Sequence, residues 1–412
     1  MSAKQKYAFG RYLTATGLTT FGDVISMIAM PVIAYTVLDS SAFIVAALIA
    51  VEQISWLLIG LPAGVLVDRW SRKRVLVLGG VLRAVLLISI PLAWFTSALT
   101  LIQLFVVAFG TGLISVFTMT ANTAYLPSLV PKEHLVHANS RLSVVETATD
   151  TAGQAIAGFI IQAIKAPVAI FVEAVVSLAS ALLIQSTRET VRQPIQTENA
   201  STFWGELKAG IVYTLGHPTF RTILATNVLW NVAMAGQFAI AVPFLVDILR
   251  VEEGLIGIAF TVGGIGGLVG ALAVSRLSDR FGSGAVWRTS LLLAPIVGLL
   301  VPLSALAHGI FGVVLYGLGT AALGAGIAMV SVITGAARQA ICPPEMLGRL
   351  GSVSQFITWG IIPVGALLFG ALGSLLGLAE TMWAVAITFF LCAVVARLSP
   401  LWTSPKIEVA LD

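Results

Sequence analysis

Four acidic residues, Asp23, Glu52, Glu146 and Asp150, interrupt stretches that are otherwise apolar and long enough to cross a bilayer. An ionisable side chain near the centre of such a stretch costs about 2.5–3.5 kcal/mol on insertion scales, so each needs a functional or structural reason to be there. Asp23 falls near the middle of the first stretch, roughly 20 Å along the helix from its inner end at 1.5 Å per residue. Glu146 and Asp150 are four apart and share one helix face with Ser143, Thr147, Thr151 and Gln154. A face that is polar for three turns belongs against water in a cavity, not against lipid. Desolvation favours the neutral form of a carboxyl group, so groups placed this way can load and release protons. Protons are therefore the expected coupling ion, with no organic cofactor and no metal. A static role competes with this one: Glu52 or Glu146 could bridge to Arg83, the single base inside a span, or cap a neighbouring helix. Arg83 itself reads as the partner of an acid and not as an anion site. Glu173 and Glu380, near the outer ends of their spans, read as interfacial.

All four acids lie in the first half. At an offset of 211 residues from Asp23 stands Met234, within a neutral stripe of Asn227, Asn231, Met234 and Gln237 at spacings of 4, 3 and 3. The asymmetry suggests protonatable groups in one half and substrate contacts in the other, with Gln154 as a further hydrogen-bonding contact.

The elements that carry these residues follow from composition. Of 412 residues, 58% are hydrophobic and only 10% charged, with a mean hydropathy of +0.98. A soluble domain is about 25% charged, so the bilayer must be the solvent. Spans are expected at 9–37, 41–67, 74–96, 99–126, 139–164, 167–187, 220–249, 254–277, 286–307, 309–338, 350–375 and 379–402, each near the ~20 residues a crossing needs. The first stretch runs on without a small-residue cleavage site and reads as a retained helix. Cys342 and Cys392 suggest neither a disulfide nor a metal cluster. Trp94, Trp287 and Trp402, near span ends, read as interfacial anchors. The four histidines, His134, His137, His217 and His308, fall near helix ends or in loops. With no nucleotide-binding loop and no nucleophile–base set, the chain does not read as an enzyme or an ATP-driven pump.

With both termini in the cytoplasm, only Lys165 and Arg250 of the 23 basic residues face outward and Arg83 lies within a span; the remaining 20 are cytoplasmic. That is the positive-inside pattern, and it explains the pI of 9.2 without nucleic acid. The halves repeat. GVLVDRWSRKR from Gly64 is echoed by SRLSDRFG from Ser275, with Asp68-Arg69 and Asp279-Arg280 211 residues apart; PKEHL from Pro131 is echoed by PPEML from Pro343 at 212. A near-constant offset implies a duplicated six-helix unit. The expected fold is an all-α membrane protein of 12 transmembrane helices in two pseudo-symmetric bundles around a central cavity. The first bundle is expected over 1–187 and the second over 220–412. The cytoplasmic linker, 188–219, carries Phe203, Leu207, Ile211 and Leu215 at the spacing of an amphipathic surface helix. Duplicated halves around a cavity are a common plan of secondary transporters, which sets a channel or receptor second.

At these residues the chain resembles the major facilitator superfamily over essentially its whole length. Gly64, Leu66, Asp68, Arg69, Arg72 and Lys73 match the family's loop between the second and third helices, with Ser71 where glycine is usual. The second copy keeps Asp279, Arg280 and Gly282 but has Ser283 and Gly284 for the basic pair. Gly22-Asp23, Arg83, Pro127 through Leu135 and Ala138-Asn139 look more like the drug–proton antiporter branch, with its macrolide efflux proteins and enterobactin exporter. Gln154 stands where exporters often carry proline. The resemblance implies that the loop motif (Gly64, Asp68, Arg69, Arg72, Lys73, with Asp279 and Arg280) forms an inner gate, Asp68 meeting the start of the eleventh helix near Gly351 and Ser352. It implies export of a small amphipathic or drug-like molecule by proton antiport through alternating access. The alternatives are a dedicated metabolite or siderophore exporter and a lipid or lysolipid flippase. The expected setting is the cell (inner) membrane, with a small-molecule substrate, the lipid bilayer as surroundings, no nucleic acid, and the monomer as working unit.

Overall fold

A bilayer offers backbone N–H and C=O groups no partner, so an apolar span must close its hydrogen bonds within itself, as a helix. The computed structural model describes residues 3–131, 134–187, 211–307, 309–342, 350, 354 and 356–407. Long helices account for nearly all of them: α1 (Ala3–Val32), α2 (Ala42–Arg69), α3 (Arg72–Phe95), α4 (Leu101–Leu129), α5 (Leu135–Ile164), α6 (Ala166–Gln185), α7 (Pro218–Pro243), α8 (Glu253–Phe281), α9 (Ser283–Gly298), α10 (Gly309–Ile341), α11 (Ile362–Leu376) and α12 (Leu378–Arg397). Several start before the apolar stretch that announces them, α1 at Ala3 and α5 at Leu135, because a helix outlasts the hydrocarbon layer and ends in water. Among the described residues, eleven helices are long and apolar enough to cross a membrane. The remaining expected span, α5, is less apolar because one of its faces is polar, with Thr147, Asp150, Thr151 and Gln154 following Glu146.

The chain divides into two compact units, Met1–Thr197 with Glu252–Gly257, and Glu198–Val251 with Ile258–Asp412. In the first unit α1 packs on α5 and α6, α3 on α4 and α6, and α2 on α4. In the second, α7 packs on α11 and α12, and α9 on α10 and α12. The α2–α4 pairing is matched by α8 on α10, where the Cα of Gly266 comes so close to Ala321 that an added Cβ would lie 2.1 Å from the Ala321 carbonyl oxygen. Each pairing in the first unit thus recurs six helices later.

The turns repeat as well. α1 and α7 both pass a proline, Pro31 and Pro243, into one π-helical turn, Ile33–Val37 and Phe244–Ile248. Those turns end at left-handed residues 211 positions apart, Asp39 (φ 46°) and Arg250 (φ 54°). Ser97 (φ 55°) and Gly309 (φ 63°), then Lys165 (φ 71°) and Gly377 (φ 103°), form two more such pairs at 212. The duplication is therefore written into the backbone at places where the side chains no longer match.

The loop motif shows how its two copies diverge. Ser71 can replace glycine because its backbone is extended at φ −67°, whereas the matching Gly282 turns left-handed at φ 84°. Lys73 Nζ donates to the Thr187 carbonyl just past α6, 2.7 Å away, joining Arg11, whose Nη1 reaches the Ser186 carbonyl at 3.2 Å. Cations at a helix C-terminus meet the negative end of its dipole. At the position matching Lys73, Gly284 puts its own backbone N–H 3.1 Å from the Pro405 carbonyl, and Arg288 Nη1 reaches the Ser404 carbonyl at 2.7 Å. A Cβ at residue 284 would lie 2.2 Å from that Ser404 oxygen. In the second copy the chain after α12 thus packs where the side chain matching Lys73 would stand.

Candidate functional site

The first unit carries a partly open cavity of about 490 Å³. α1 contributes Thr16, Thr19, Thr20 and Asp23 to its wall, α5 contributes Glu146, Thr147 and Asp150, and α3 contributes Arg83. Ser115 and Asn122 of α4 and Ser177 and Ser180 of α6 complete a lining of hydroxyls and acids with apolar patches between. Beside the cavity α3 runs close to α6: a Cβ at Gly80 would lie 3.0 Å from the Ala181 Cβ and 3.2 Å from the Ser177 carbonyl.

At the cavity wall Arg83 Nη1 forms an ion pair with Asp23, whose side chain is 51% exposed. Behind it, Glu173 is wholly buried and takes the other side of the same guanidinium, accepting from Nε at 3.1 Å and Nη2 at 2.7 Å. Ser26, one helical turn beyond Asp23, donates to the second Glu173 oxygen. Gly22 provides the space: a Cβ there would lie 3.1 Å from Glu173 Cγ. Glu52, on α2 and half-buried, lies within electrostatic reach of both Arg83 and Asp23. Asp150 is close enough to Asp23 for their charges to repel. One guanidinium therefore faces three carboxylates, those of Asp23, Glu173 and Glu52.

The acids Asp23, Glu146 and Asp150 thus come together on one cavity, whereas Glu52 is not part of its lining and is linked to it only through Arg83 and Asp23. Arg83 does pair with acids, but its partners are Asp23 and Glu173, not Glu52 or Glu146. Glu173, expected at the interface, is instead the most buried acid of the cluster; its place eight residues after Lys165 near a span end masked a side chain that turns inward. Glu380 is exposed in the first turn of α12. Trp287, expected as an anchor, is fully buried, as is Trp230. Gln154 is buried with its amide oxygen unpaired. In the second unit, Asn227 lines a small pocket of about 50 Å³ with Arg338 and Ser354, Asn231 Nδ2 donates to the Asn227 carbonyl at 2.9 Å, and Met234 is half-buried. Gln237 is buried with its amide oxygen unpaired. Of the gate residues, Asp279 and Arg280 are exposed, with the Arg280 guanidinium 5.2 Å from the Phe281 ring centre. The side chains of Asp68 and Arg69, like Gly351, Ser352 and linker residues 188–210, lie outside the described residues.

A family model described as Major Facilitator Superfamily matches residues 12–361. The multidrug efflux pump Tap of Mycolicibacterium fortuitum is 25% identical over 353 residues, which span 82% of this chain and 83% of Tap. Among solved structures, a bacterial homologue of the iron transporter ferroportin in its inward-facing state superposes with a TM-score of 0.79 at 19% identity, covering 98% of this chain and 100% of that one. The nucleoside transporter NupG superposes with a TM-score of 0.76 at 12% identity, over 98% and 100% of the two chains. At such identities the solved structures speak for the fold alone.

Proposed function

The chain belongs to the Major Facilitator Superfamily, and on that footing we propose that this multi-pass membrane transporter exports a small amphipathic or drug-like cation by proton antiport. It is a transporter and not an enzyme. One observation carries the finer reading: the Asp23 carboxylate stands half-exposed on the wall of a 490 Å³ cavity beside Glu146 and Asp150. The likeness to a multidrug efflux pump supports the outward direction.

A cationic cargo from the cytoplasm and a proton from outside compete for the same acidic wall. Protonation of Asp23 and its neighbours favours release of cargo outward; proton loss to the cytoplasm readies the site again. Glu52, Glu146 and Asp150 share that work, while Asn227, Asn231, Met234, Gln237 and Gln154 contact the uncharged part of the cargo. The loop residues Arg72, Lys73, Asp279 and Arg280, with Asp68 and Arg69, serve the inner gate, and the working unit is a monomer in the cell membrane with both termini cytoplasmic. An anionic cargo such as a siderophore fits this wall poorly, because Arg83, the one base on it, is already held by two acids.

Ethidium, a lipophilic cation, tests the reading. Loaded cells that make the protein should expel it, expulsion should stop when a protonophore collapses the proton gradient, and Asp23→Asn should expel none. Expulsion that outlasts the protonophore, or survives in Asp23→Asn, would rule out proton coupling at Asp23.

A further inference from the structure

Two acids hold Arg83, but only one can be reached. Asp23 is open to the cavity, whereas Glu173 is sealed behind the guanidinium, with its two oxygens taken by Arg83 and Ser26. Gly22 of α1 lies against Glu173 itself, and Gly80 of α3 lies against Ser177 and Ala181 farther along α6, so both helices approach α6 closely. A cationic cargo in the cavity therefore meets Asp23, which lines it, and not Glu173, which does not.

From this geometry we propose that Glu173 is a positioning residue that keeps the Asp23–Arg83 pair exchangeable. It grips Arg83 through Nε and Nη2, which leaves Nη1 alone to face the cavity. It also takes up much of the guanidinium's charge. Asp23 then holds a shared cation that cargo or a proton can displace, and Arg83 stays in place while the exchange occurs. The charged groups around the pair are Glu52 from α2, Glu173 from α6 and Asp150 from α5. Without Glu173, Arg83 would be shared only by Asp23 and the more distant Glu52, and Asp23 would be held more tightly. The inference rests on the reading of Asp23 as the coupling acid, and Glu173 acts only through Arg83.

Labelling with dicyclohexylcarbodiimide, a lipid-soluble reagent for carboxyl groups, tests this without any cargo. Protein in liposomes is treated and the modified peptides are read by mass spectrometry. In the wild type Asp23 should be modified and Glu173 spared. Glu173→Gln should lower Asp23 modification about tenfold, the size of a modest change in the charge balance at one site. Removing both members, Arg83→Gln with Glu173→Gln, should restore it to the wild-type level or above. Glu173→Asp, which keeps the charge but alters the packing, should label Asp23 nearly as the wild type does, a rescue that a merely structural role for Glu173 would not give. Equal modification of Asp23 and Glu173 in the wild type would overturn the proposal even if the single variant fails to fold. So would Asp23 modification that is unchanged in Glu173→Gln, or not restored in the double variant. Failure of ethidium export, by contrast, would sink the transport reading and leave this labelling pattern intact.

Discussion

Arg83 and Glu173 meet through two hydrogen bonds to a single carboxylate oxygen, 3.1 Å from Nε and 2.7 Å from Nη2, with Glu173 wholly buried. Such a pair repays its desolvation only when its remaining hydrogen-bonding capacity is used. Ser26 fills the other oxygen of Glu173, and Asp23 fills the remaining nitrogen of Arg83.

Removing one partner of a buried pair costs about 3–5 kcal/mol when the other charge is left uncompensated. Glu173→Ala leaves Arg83 paired with Asp23 and is expected to lose stability, by less than that full amount, in detergent, measured by chemical unfolding. Replacing both residues with apolar ones of similar size should recover most of it. A single variant as stable as the wild type would show that the pair is not part of the packed core.

Neighbouring glycines on α8 should respond in opposite ways. A Cβ at Gly266 would lie 2.1 Å from the Ala321 carbonyl oxygen, whereas one at Gly267 finds nothing nearer than the Gly324 carbonyl at 3.7 Å. Gly266→Ala should push α8 and α10 apart and lose about 1–3 kcal/mol, as overpacking does. Gly267→Ala should be neutral or slightly stabilising, since alanine is favoured over glycine in a helix by roughly 0.5–1 kcal/mol. Thermal melts of the two purified variants distinguish these outcomes, and a reversed order would refute the close approach.

The two copies of the loop motif make a similar contrast. Gly282→Ala forces a Cβ into a left-handed backbone and toward the Pro405 carbonyl 2.9 Å away. About 1–2 kcal/mol of destabilisation is expected from the backbone alone. Ser71→Gly, the change that restores the family's usual residue, should bring no gain because the backbone there is already extended. Equal melting temperatures for Gly282→Ala and the wild type would contradict this reading.

The all-helical membrane fold and its internal repeat were legible because both rest on long-range statistics, namely hydropathy and a fixed offset. Asp23, Glu146 and Asp150 were legible as cavity residues because a charge in an apolar span is too costly to face lipid, and because four-residue spacing places Glu146 and Asp150 on one helix face. Glu173 was missed for the complementary reason. Depth in the membrane can be counted along a sequence, but the direction of a side chain near a span end cannot, and its partner lies 90 residues away on α3. The one usable signal was Gly22, whose lack of a side chain makes room for Glu173 on α6. Trp287 misled similarly: its position near a helix start suggests the interface, yet packing turns it inward. The duplicated left-handed turns could not be read at all, since Asp39 and Arg250 share a backbone geometry and no chemistry.

If Asp23 exchanges a proton for a cationic cargo, the two fluxes must be linked in the purified protein. Reconstituted liposomes carrying an internal pH dye, challenged with ethidium and other lipophilic cations, read that link. Substrate-dependent proton flux is expected in the wild type, together with its loss in Asp23→Asn. Undiminished flux in Asp23→Asn would contradict the exchange at this residue and move the coupling role to Glu52, Glu146 or Asp150.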